Sequence, residues 1–195
     1  KMYIWLPDYI AQSLSPKETV SGIKHIIFMT VDHYEPGFGE KGVQGNREWL
    51  AEYRKLADKH KDSYGRVPQH TWFYPYDHKN ELVMPELSKM VKAGYGEIEF
   101  HWHHKHDTNE AFPAKLAEAV NWFNKYGAMI DKNGIKSFGF IHGDWSLDNA
   151  RGEAFCGVSR ELDILKSQGC YADFTFPAFG TVAQPRKVKI GRAHV

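Results

Sequence analysis

Histidine is the first chemical signal in this chain of 195 residues: there are 11, and six of them fall in three short clusters. The clusters are Asp32-His33, His101-Trp102-His103-His104 with His106-Asp107, and His142-Gly143-Asp144-Trp145. Neutral imidazole ligates divalent metals and titrates near neutral pH, so such clusters suit metal binding or proton transfer. His101 and His103 are two residues apart and share one face of an extended segment. With His33 from another segment they form a three-nitrogen set of the kind that holds Zn²⁺ with one position open. The alternative is a hydrogen-bonded histidine network without metal.

Asp32 has two readings. A loop aspartate commonly caps the turn that follows it. Beside His33, it can instead act as a general base on water or orient a ligand. Asp32 with Asp144 would also supply the carboxylate pair that a glycoside hydrolase needs. Tyr34, Trp102 and Trp145 offer rings on which a sugar can stack, although the alternation around Trp102 points it toward a core. His25, His60, His70 and His78, taken singly, read as surface or structural residues.

The elements that must position these residues alternate between short apolar runs and helical patterns. Residues 23–31, 70–76, 97–103, 135–142 and 171–176 read as strands, the first as one covered on both faces. Helices are expected over 46–61 with Asn46 as its cap, over 81–93, over 110–126, and over 157–169 with Ser159 as its cap. Strand followed by helix, repeated, implies a parallel α/β sheet with right-handed crossovers. Ligands bind such folds at the carboxyl ends of the strands, where all three clusters fall.

Twenty-five Lys and Arg against 24 Asp and Glu give a net charge of +1, which provides no electrostatic basis for nucleic acid as a partner. No apolar stretch reaches the roughly 18 residues of a membrane span. Cys156 and Cys170 are too few for a disulfide framework, and they leave the compartment open between the cytoplasm and the periplasm or cell envelope. Residues 1–188 read as one domain. Residues 189–195 back-translate to a sequencing-adapter read and are taken as a scar, so that the domain is expected to be incomplete at its C-terminal side.

Over about residues 23–176 the chain resembles the NodB-type polysaccharide deacetylases, carbohydrate esterase family four. The family's Thr-Phe-Asp-Asp-Gly motif is matched by Thr30-Val31-Asp32-His33, which puts Asp32 on the base and His33 on a metal ligand. Glu97-Ile98 precedes His101, which matches the first histidine of the second motif. Lys105 stands where the second histidine is expected, so His103 or His106 would substitute. His142-Gly143-Asp144-Trp145 occupies the place of the family's Arg-Pro-Pro-Tyr-Gly, with His142 the residue that could pair with Asp32. Asp173 is the nearest candidate for a contribution from a fourth motif; later motifs would lie beyond residue 180. The stretch from Phe140 to Ala178 also looks like a subgroup that accompanies bacterial surface-polysaccharide genes.

The resemblance implies a distorted (β/α) barrel, truncated at its C-terminus, and a divalent metal, Zn²⁺ by preference. The implied reaction is hydrolysis of an N-acetyl group on a carbohydrate substrate. The catalytic residues would be Asp32 and His142, the metal ligands His33, His101 and His103 or His106, and the substrate contacts Tyr34, Asp144 and Trp145. Two rivals stand beside it: a glycoside hydrolase or other metal-dependent hydrolase on the same barrel, and a non-catalytic carbohydrate-binding or assembly protein.

Overall fold

A computed structural model of the protein describes residues 2–16, 22, 25 and 27–175. The chain runs α1 (Met2–Leu14), β1 (Thr30–His33), α2 (Gly39–Ala57), β2 (His70–Pro75), α3 (Met84–Lys92), β3 (Gly96–Trp102), α4 (Phe112–Asn124), β4 (Phe138–His142), α5 (Glu161–Ser167) and β5 (Cys170–Asp173). All four strand pairings are parallel, in the order β1-β2-β3-β4-β5. Each parallel neighbour is thus reached through a connection that carries a helix, as parallel pairing requires.

The register divides the sheet into two faces by parity. Asp32, Trp72 and Ile98 are aligned across β1, β2 and β3, and so are His33, Phe73 and Glu99. Even-numbered residues of β2, β3 and β4 (Trp72, Tyr74, Phe100, Phe138, Phe140) are fully buried, in one core with Val43, Leu87, Leu116, Phe123 and Leu165 from the helices. Burying each such side chain stabilises the fold by about 1.5–3 kcal/mol. Odd-numbered residues make the other face, where Glu99 accepts hydrogen bonds from the Gly139 N–H and the Tyr171 hydroxyl, and Phe73 packs edge-on against Phe174.

The α/β class and the parallel sheet are as expected; closure into a barrel is not shown, since among the described residues β1 and β5 are the two edges. The first strand begins at Thr30 rather than 23, and Ile27, Phe28 and Met29 are about four-fifths exposed because β2 begins only at His70, opposite Thr30. Ile23, Lys24 and Ile26, with residues 176–195 and hence the suspected scar, lie outside the described residues. Helix α2 begins at Gly39, and Asn46 is no cap: it is buried within the helix, accepting from the Tyr34 hydroxyl and donating to Glu86. Ser159 is likewise outside α5, whose N-cap is Arg160. Helix α1 lies before the first segment expected from the sequence pattern. No helix among the described residues is long and apolar enough to cross a membrane.

Candidate metal centre

Three strands deliver their carboxyl ends to one rim, and parity decides which side chains meet there. His33 from β1 and His101 from β3 have ring centroids 4.4 Å apart, and His101 and His103 are 4.5 Å apart. Glu35, two residues past His33 and therefore of the same parity, joins them. Its Oε1 lies 3.2 Å from His101 Nε2 and 3.6 Å from His103 Nε2. Ligand atoms of His33, Glu35 and His101 all lie within 4.8 Å of one another, with His101 buried and the other two open to solvent.

The ring orientations are fixed from behind. His101 Nδ1–H donates to the Ile141 carbonyl at 2.8 Å, which turns Nε2 toward Glu35. His103 Nδ1–H donates to Asp77 Oδ2 at 3.0 Å, and the His103 backbone N–H donates to Asp77 Oδ1 at the same distance. A carbonyl or carboxylate on the far ring nitrogen is the usual support of a metal-ligating histidine. Two donors, each about 2.0–2.1 Å from one tetrahedral zinc ion, stand about 3.3 Å apart. The 3.2 Å from Glu35 Oε1 to His101 Nε2 matches that edge, and His33 offers a ligand atom within 4.8 Å of both, so the set of His33, Glu35 and His101 fits a divalent metal.

Electrostatics follow the packing. Burial, with His101 next, lowers the His33 pKa, and the His101 hydrogen bond holds Glu35 below the usual carboxylate range. Burial works against an ionised Asp77, yet the bonds from His103 hold its carboxyl at about 2. The same Asp77 bond raises the His103 pKa against the opposing effect of burial. His103 also packs on Gly143 so closely that a Cβ there would stand 2.1 Å from its Cδ2.

The remaining expected site residues are dispersed. Asp32 faces the helices, its Oδ1 3.1 Å from His70 Nε2, because a residue adjacent to His33 in a strand points to the opposite face. Tyr34 is buried in the core and bonded to Asn46, which removes it from any substrate. His106 is exposed, with its backbone N–H on the Glu153 carbonyl, so of the two alternatives it is His103 that stands at the cluster. Asp144 stays at the rim, its Oδ2 3.0 Å from Lys105 Nζ, while Trp145 is 43% exposed beside it. Asp173 bonds the Thr175 hydroxyl at 2.7 Å. His142 is fully buried on the helix side with His104, Cys156 and Glu161, and burial lowers its pKa to about 4. These four side chains form a second group that could hold a metal ion.

Sequence reasoning passed over Glu35 and Asp77. Glu35 had a signal in the alternation His33-Tyr34-Glu35, and Asp77 had one in its place just beyond the end of β2.

The fold and the site thus define an α/β protein with a metal-capable histidine and carboxylate cluster at the carboxyl ends of its strands. The chain matches no protein-family model, no curated protein and no solved structure.

Proposed function

We propose that the protein is a metal-dependent hydrolase centred on His33, Glu35 and His101, acting on an N-acetylated sugar, the substrate class that the sequence resemblance implies. The observation that carries the reading is the convergence of the His101 and His103 Nε2 atoms on one Glu35 oxygen, each ring fixed at Nδ1 by a separate acceptor. Zn²⁺ held there would polarise an acyl oxygen and acidify a neighbouring water. His103, oriented by Asp77, presents Nε2 on the same side, where it can take a proton from the attacking water and return it to the leaving nitrogen. Trp145, exposed at the rim, offers a ring face to a sugar.

The architecture is proposed to be part of a barrel. The strand order runs without reversal, and the helix residues of the core share one face of the sheet. The face carrying Phe73, Glu99 and His101 would then line the barrel interior.

Release of acetate from N-acetylated glycans, measured for the protein and for Glu35→Gln, tests the activity. Metal-dependent release that is lost in Glu35→Gln is expected. Cleavage of glycosidic bonds without acetate would favour the glycoside hydrolase, and glycan binding with no hydrolysis would favour the non-catalytic protein.

A further inference from the structure

Behind the rim, on the helix-covered side, lies a group with different chemistry. His104 follows β3, His142 ends β4, Cys156 lies in the connection from β4 to α5, and Glu161 opens α5. His104 is 3% exposed and the other three are fully buried. Glu161 Oε1 lies 2.9 Å from His104 Nε2 and 3.8 Å from His142 Nε2, and Glu161 Oε2 lies 3.5 Å from Cys156 Sγ. All four ligand atoms fall within 4.8 Å of one another.

We infer that His104, His142, Cys156 and Glu161 form a second, closed Zn²⁺ site that holds the rim loops together rather than taking part in the reaction. Three observations carry this. First, each imidazole has an oxygen at its far nitrogen: His142 Nδ1–H donates to the Gly143 carbonyl, and His104 Nδ1 lies at ion-pair distance, 3.2 Å, from Asp107 Oδ2 without hydrogen-bond geometry. Both Nε2 atoms are thereby turned inward, as a metal-ligating histidine requires. Second, His142 Nε2 is wholly buried and has no hydrogen-bond partner. A histidine network without metal leaves that atom unsatisfied, at a cost of about 1–3 kcal/mol, whereas coordination uses its lone pair. Third, the donors suit zinc: two neutral imidazoles, a thiolate and a carboxylate balance a dication without net charge in a dry site.

Binding releases the Cys156 thiol proton and the proton that His104 Nε2 presents to Glu161 Oε1, and forms one bond from each of the four donors. With no position left for solvent, the ion would serve structure. The ligands span residues 104 to 161 and bracket a stretch in which Asp144, Trp145, Asp148 and Asn149 all have positive φ, conformations that cost non-glycine residues energy.

Cobalt substitution tests the inference, because a Co²⁺–thiolate bond gives a charge-transfer band in the near ultraviolet that nitrogen and oxygen ligands do not. The protein is prepared with Co²⁺ in place of Zn²⁺, alongside Cys156→Ser and His33→Ala. The wild type and His33→Ala should show the band together with tetrahedral d–d absorption, and Cys156→Ser should lose the band. Removing the ion under strong chelation should lower Tm by roughly 10 °C. Should Cys156→Ser fail to fold, the wild-type band decides alone, since Cys170, the other cysteine, is bonded to the Ala172 carbonyl in β5. Absence of the band from Co²⁺-loaded wild type, or its persistence in folded Cys156→Ser, would overturn the inference. Loss of the band in His33→Ala would overturn it too, by showing a single shared site.

Discussion

His103 and His104 are adjacent in sequence and serve opposite sides of the molecule. His103 Nε2 stands 3.6 Å from Glu35 at the open rim, and His104 Nε2 stands 2.9 Å from Glu161 in the buried layer. Gly143, which follows the buried His142, packs closely against His103.

In the proposed reaction Asp77 would act through His103, whose Nδ1–H it accepts. Asp77→Asn should lower kcat by about 10–100-fold, the usual cost of losing the support behind an essential imidazole, and change KM little. Steady-state kinetics across pH check this. An unchanged kcat and pH profile would remove His103 from the proton transfer.

The contact at Gly143 is steric. Gly143→Ala places a methyl group against the His103 ring and should destabilise the fold by about 1–3 kcal/mol, as overpacking does. Urea unfolding measures it, and a variant as stable as the wild type would show that the ring moves aside freely.

Asp32 separates the structural account from the family resemblance. Facing His70 and 37% exposed at its side chain, it should tolerate Asp32→Asn with turnover and metal content intact. The stability cost should be no more than about 1 kcal/mol, since the contact with His70 is partly screened by solvent. Loss of turnover with an intact metal would restore Asp32 as the base.

Burial raises the Asp173 carboxyl from 3.8 to about 6. The folded state therefore keeps this proton where the unfolded chain has lost it. Its contribution to stability is complete below pH 3.8 and falls away as pH rises through about 6. Between pH 4 and 8 the wild type should lose up to about 3 kcal/mol that Asp173→Asn does not lose. Unfolding curves at several pH values compare the two, and parallel pH profiles would contradict the shift.

The sequence made β2 and β3 legible because their apolar and alternating residues leave one consistent register. It misled at the first edge, where Ile27, Phe28 and Met29 have the composition of a strand but no pairing partner among the described residues. Asn46 has the residue type of a cap, yet its contacts with Tyr34 and Glu86 exist only in the folded protein. At the site, His33, His101 and His103 could be grouped from parity and strand ends alone. Parity also argues against placing Asp32 with His33 or His104 with His103, since adjacent residues of an extended chain diverge. The place of Asp77 just beyond β2 was legible, but its contact with His103 arises only from the pairing of β2 with β3, which spacing along the chain does not encode.

The central claim is tested most directly by metal content, determined by elemental analysis on the protein and on His101→Ala after mild dialysis. His101→Ala should hold one equivalent of divalent metal fewer than the wild type while remaining folded. Equal metal content in the two proteins would contradict it.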